Sequence, residues 1–242
     1  MNSFYSNNNP SSGAVYSFTP EALTLVGEAR AAYVRQVYSY FSLGLLGGIV
    51  GALVGMETGI LRMIMSMPLI GFLGMIGMLI FAQRSSSNPA RAVPTMMGFT
   101  FVSGLVLSPT LFAIAHGYVP GAGPQTIFNA LGLSGLVFGG LTAYTYISKK
   151  DFSYLQASLF IGLLLLIGVS IIGIFIGSST LDLALSVITV IIFSGFVLVD
   201  TSIILRNAMS IPPTMAALKL YLDFLNIFVA LLNIFGGGRR RS

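Results

Sequence analysis

Seven stretches of about twenty apolar residues follow one another along this chain, near 37–56, 63–83, 92–115, 126–147, 154–177, 181–204 and 215–235. A helix of that length rises about 30 Å, the thickness of a bilayer's hydrocarbon core. The runs are continuously apolar instead of alternating, which argues against strands of a membrane barrel. Of the 242 residues 55% are hydrophobic and only 8% charged, against about 25% charged in soluble domains. A water-soluble globule, a disordered chain and a nucleic-acid-binding domain are thereby excluded. The fold class is an all-α, multi-pass membrane protein. Residues 1–27 read as a flexible polar tail, 28–235 as a seven-helix membrane domain and 236–242 as a basic C-terminal tail. The polar start has no basic region followed by an apolar run, so it does not read as a secretory signal.

Charge gives orientation. The net charge is +5, and the basic residues recur in alternate loops: Arg30 and Arg35, then Arg84 and Arg91, then Lys149 and Lys150, then Arg206. The positive-inside rule places these loops, and the N-terminus with them, in the cytoplasm. Arg239, Arg240 and Arg241 read as an anchor against anionic lipid and not as a nucleic-acid site. With no Cys in the chain, disulfides, thiolate catalysis and Cys-ligated metals are excluded. No cofactor is expected.

The seventh run is the most polar. At about 100° per residue, Lys219, Asp223, Asn226 and Asn233 fall in one stripe about 80° wide. Such a stripe cannot face lipid, because unpaired polar groups there cost several kcal/mol. The seventh helix is therefore expected at the centre, wrapped by the other six; whether it spans or turns back stays open. Gly44, Gly47, Gly48, Gly51 and Gly55 in the first run, and Gly135 and Gly139 in the fourth, are spaced for close helix approach.

Two carboxylates lie inside the runs, Asp200 and Asp223. An intramembrane carboxylate is a functional candidate by default. The Pro212-Pro213 turn between them lets their helices pack antiparallel and the side chains meet. At about 4 Å two carboxylates repel by about 4 kcal/mol at an effective dielectric near 20. Such a pair shares a proton, titrates as a unit and offers hard oxygen ligands to Ca²⁺. The bland alternative is that each Asp caps a helix or pairs with Arg206 or Lys219. Arg84, closing the second run, is either an interfacial anchor or a partner for an aspartate. Gly132-Leu133-Ser134-Gly135 matches the G-x-S-G of rhomboid-type proteases, but the chain's one His, His116, precedes it. An aspartyl-protease dyad would want a G-x-G-D motif, and Leu220-Tyr221-Leu222 precedes Asp223 instead.

The C-terminal third, Leu220-Tyr221-Leu222-Asp223-Phe224-Leu225-Asn226-Ile227-Phe228 followed by Leu231-Leu232-Asn233-Ile234-Phe235-Gly236, resembles the Bax inhibitor-1 family. Asp200-Thr201 matches the family's D-T. Phe101-Val102-Ser103-Gly104-Leu105 with Pro109 is similar to its F-V-S-G…P stretch, and Lys149-Lys150-Asp151-Phe152-Ser153 to its K-K-D-L-S loop. Arg84 stands where bacterial members carry an Arg; Val199 stands where Tyr is common. The resemblance runs from about residue 30 to the C-terminus. It implies seven helices, with the last surrounded by two groups of three. It also implies a pH-sensitive calcium leak channel with Asp200 and Asp223 as sensor and cation ligands and Arg84 as closed-state latch. The expected partners are membrane lipid and the calcium ion. A regulatory protein acting by contact with other membrane proteins is the runner-up. The motifs have a bacterial look, which makes a bacterial inner membrane the expected home.

Overall fold

The computed structural model describes residues 20–58, 64, 66–206 and 211–237. Residues 1–19 of the expected tail (1–27) and the basic end, Arg239 to Arg241, lie outside them. The described residues form seven α-helices: α1 (Pro20–Glu57), α2 (Pro68–Ser85), α3 (Pro89–Ala115), α4 (Pro124–Ser148), α5 (Gln156–Ile176), α6 (Ser179–Arg206) and α7 (Pro213–Gly237), with one 3₁₀ turn, Ser153–Leu155, before α5. Six are long and apolar enough to cross a membrane, and α2 contributes a shorter apolar helix, Leu69–Ser85.

Proline sets most of the helix starts. Pro20, Pro68, Pro89, Pro124 and Pro213 each begin a helix, where the missing N–H costs nothing and the fixed φ suits the first turn. The second run is expected from 63, which lies outside the described residues; Ile64 and Ser66 are helical, and the long helix of this run starts at Pro68 behind Met67. Asn88 caps α3 by accepting a hydrogen bond from the Ala90 N–H at 3.1 Å. At the other ends, α4 closes on Lys149 and α5 on Gly177, both in the left-handed conformation with φ of 53° and 63°. α1 starts at Pro20, eight residues before the expected boundary.

α7 is one uninterrupted helix of 25 residues, about 37 Å long, so it does not turn back. It is the most buried of the seven and supplies Leu218, Leu220, Ile227, Leu231 and Leu232 to the core. α1, α3, α4 and α6 touch it directly, while α2 packs on α3 and α5 on α6. The centre is as expected, but the wrapping has two layers. Phe41 of α1, Phe138 of α4 and Phe224 of α7 make an aromatic cluster between their helices, with Phe41 stacked on Phe138 at 4.8 Å.

α1 and α3 are in backbone contact. A Cβ on Gly51 would collide with the Phe101 carbonyl, and one on Gly104 with the Gly48 carbonyl. The glycines of the first run therefore act as expected. Those of the fourth do not: Gly135 and Gly139 face open space, with nothing within 4 Å of a built Cβ. α4 presents its Phe138 and Ala130 to the core instead, and turns its glycine face outward.

Candidate functional site

The antiparallel packing of α6 on α7 brings the candidate residues together. Asp200 lies within α6, six residues before its end, and Lys219 six residues into α7, so the two stand at the same level of the bundle. Lys219 Nζ is 3.8 Å from Asp200 Oδ1. Asp223 lies one turn further along α7. It is 4% exposed, and its Oδ2 has no hydrogen-bond partner among the described residues. The charges of Asp200 and Lys219 both act on Asp223, one repelling and one attracting. Two buried carboxylates and one half-exposed ammonium thus share the seam between α6 and α7. Neither Asp caps a helix; the bland pairing of Asp200 with Lys219 is present, and Asp223 is left over.

The polar stripe of α7 runs the full length of this seam. Beyond Asp223, Asn226 and Asn233 line a cavity of about 1180 Å³ between α7, α6 and the ends of α3 and α5. Asn226 turns its side-chain nitrogen back to the Leu222 carbonyl at 2.7 Å. Asp182, at the first turn of α6, stands at the rim.

Arg84 is not brought to this site. It is exposed in the last turn of α2 and has no ion pair with a described residue. The cation next to the aspartates is Lys219. The other pattern weighed from sequence is also kept apart: Ser134 is buried and donates to the Ala130 carbonyl at 2.6 Å, while the His116 ring stacks on Phe112 and bonds its carbonyl.

Several buried hydroxyls near the site escaped the sequence reading. The Tyr221 hydroxyl meets that of Ser103 at 2.6 Å and joins α7 to α3. Tyr33 reaches from α1 to the Ile211 carbonyl at 3.0 Å. Tyr38 of α1 faces Thr142 of α4 and Thr201 of α6, and all three hydroxyl oxygens are buried. Hydropathy averages hide such residues, since Ser and Thr bond their own helix carbonyls and sit comfortably in apolar runs. Motif position was the usable signal: Tyr221 stands in the same Leu220–Phe228 stretch as Asp223, though about 200° round the helix from it, and Ser103 in the motif-like Phe101–Leu105 stretch.

A multi-pass α-helical membrane protein with ionisable side chains buried along its central helix is the class that this fold and seam define. The model of the family described as inhibitor of apoptosis-promoting Bax1 matches residues 30–240. The chain belongs to this family, the Bax inhibitor-1 family. It is 38% identical over 207 residues to an uncharacterized membrane protein of Vibrio cholerae, covering 84% of this chain and 88% of the relative. An uncharacterized protein of Campylobacter jejuni is 36% identical over 204 residues, 84% of this chain and 87% of that one. One of Helicobacter pylori is 31% identical over 204 residues, 84% and 86% of the two chains.

Proposed function

We propose that this protein lets Ca²⁺ pass down its gradient through the α6–α7 seam, with Asp200 and Asp223 as a proton-sensitive gate. The observation that carries this reading is Asp223, a carboxylate on the central helix, buried, with one oxygen unpartnered, within the field of a second carboxylate. Burying such a group costs several kcal/mol unless it is paired or used. Protons, the Lys219 ammonium and a divalent cation all neutralise the same two carboxylates, so they compete. Gain of a proton weakens the hold on Lys219 and on a passing cation alike.

Arg84 is proposed as a latch that reaches the pair in a closed arrangement. Support comes from the position of α2: among the described residues its main packing partner is α3 alone, and it does not pack on the central helix, so it can move without unpacking α7. The positive loops support a cytoplasmic N-terminus, and the bacterial relatives support a bacterial inner membrane as the home. The belt of exposed Phe160, Ile161, Leu164 and Leu165 on α5 is the surface for lipid.

The test is purified protein in liposomes loaded with a Ca²⁺ dye. A leak above empty liposomes, with a pH dependence that Asp223→Asn flattens, is the expected result. No flux above empty liposomes from about pH 6 to about pH 8 overturns conduction and leaves the regulatory reading.

A further inference from the structure

The cavity beyond Asn226 carries a chemistry of its own. Its deep wall includes Ser170 of α5, Ser186 and Thr189 of α6, and Asn226 of α7. Each of these spends a donor on its own helix. Ser170 donates to Leu166 O at 2.7 Å, Ser186 to Asp182 O at 2.8 Å, and Thr189 to Leu185 O at 2.7 Å. Asn226 gives a side-chain N–H to Leu222 O at 2.7 Å. A hydroxyl whose one proton is committed has only lone pairs left to offer. At Ser170, Ser186 and Thr189 the wall therefore offers acceptors only, while Asn226 keeps its carbonyl oxygen and one N–H, and Thr110, Ser179, Thr180 and Asn233 complete the polar lining.

The electrostatics of the mouth agree. The C-terminal ends of α3, α5 and α7 contribute Ile114, Gly173, Gly177, Gly236 and Gly237 to the lining, and helix C-termini carry partial negative charge. The N-terminus of α6 is the opposing positive end, and Asp182 in its first turn offsets it. Asp182 is the one charged side chain among the described lining residues.

We propose that this cavity is a cation vestibule: its oxygen-lined wall admits hydrated cations and turns anions away. It feeds the seam at Asn226, one turn from Asp223. The vestibule takes its purpose from the proposed cation passage, but its selectivity is readable without any flux. The residues that set it are Ser170, Ser186, Thr189 and Asn226, with Asp182 adding to the field at the rim.

The chain's lack of cysteine makes the test direct. Val229→Cys and Ala113→Cys place single thiols on apolar parts of the wall and leave every polar group intact. The full-length variants, in detergent, are reacted with a cationic and an anionic methanethiosulfonate of similar size. Both rates are divided by those for a small free thiol. The cationic reagent is expected to react faster by about tenfold, the lower end of what a charged cleft does to local ion concentration. That preference should survive Asp182→Asn and fall towards unity in Ser186→Ala/Thr189→Val/Asn226→Leu. Equal normalised rates overturn the vestibule. So does failure of both reagents to reach either thiol. A preference abolished by Asp182→Asn alone also overturns it, because the rim charge and not the wall would then select. Flux failing with the preference intact removes only the conduction reading; flux without preference removes only the vestibule.

Discussion

The hydroxyls of Ser103 and Tyr221 lie 2.6 Å apart although 118 residues separate them in sequence. Tyr221 also reaches the Thr100 carbonyl at 3.4 Å, sets its ring edge-on to Phe99 at 6.0 Å, and packs against Gly44 and Gly48. One side chain of the central helix thereby fastens α7 to the α1–α3 pair. Tyr221→Phe keeps the ring and removes the hydroxyl. It should cost about 1–2 kcal/mol, read as a lower midpoint of thermal unfolding in detergent. Ser103→Ala should cost a similar amount, and the double variant less than the sum of the two.

Asp223 and Lys219 are expected to behave oppositely. Asp223→Asn removes a buried charge that lacks a full set of partners, so stability should hold or rise while the pH dependence of the leak flattens. Lys219→Met strands Asp200 without its cation. Loss of one partner of a buried pair costs about 3–5 kcal/mol; Lys219 is 34% exposed, so solvent screening brings the cost below that range. Thermal unfolding and dye-loaded liposomes read the two effects separately.

Arg84 tests the latch. An exposed side chain with no ion pair among the described residues should change stability by no more than about 0.5 kcal/mol when cut to Ala. Under the proposed gating, Arg84→Ala nonetheless raises the resting Ca²⁺ leak. A leak equal to the parent's removes Arg84 from the mechanism.

The loop between α4 and the 3₁₀ turn has a pH dependence of its own. The Ser153 N–H donates to Asp151 Oδ1 at 2.9 Å. This backbone bond, then the Ser153 hydroxyl and the charge of Arg206, hold the Asp151 carboxyl below its ordinary value of 3.8. A folded value under the unfolded one means the contact is fully stabilising above about pH 4 and is lost as pH falls through the lower, folded value. Amide exchange at Ser153, corrected for intrinsic rates, should speed up on acidification below that point. In Asp151→Ala it should be fast at all pH values.

Glycine contacts set the last expectation. Gly51→Ala drives a methyl group into the Phe101 carbonyl and Gly104→Ala one into the Gly48 carbonyl. Overpacking of this kind costs about 1–3 kcal/mol. Gly135→Ala meets nothing within 4 Å and should be neutral or slightly stabilising, since Ala is the better helix former. Unfolding midpoints of the three variants check the contrast.

What could be read from the chain, and what could not, follows from the range of each signal. The apolar runs are long and local, so hydropathy located seven helices. The stripe of Lys219, Asp223, Asn226 and Asn233 identified α7 as the central one, because a polar face must be covered. A boundary drifted where proline and not hydropathy set the first turn, as at Pro20, eight residues before the expected start of the membrane domain. The glycine pairs looked alike in sequence, yet Gly51 touches a neighbour and Gly139 does not; which face a helix buries depends on partners far along the chain. For the same reason the cation beside Asp200 could be narrowed only to candidates, among them Lys219 and Arg84. The Tyr38, Thr142 and Thr201 grouping draws on three helices and has no trace at any single position.

The carbonyl-to-glycine contacts between α1 and α3 have a mechanical meaning. Side-chain interfaces can slide by exchanging rotamers; two backbones pressed together have no such play. Under the proposed gating this pair is expected to serve as the stator, with rearrangement confined to the parts mounted on it. Spin labels placed across α1 and α3 would keep one separation through a working cycle, while a label on α2 measured against either of them would not.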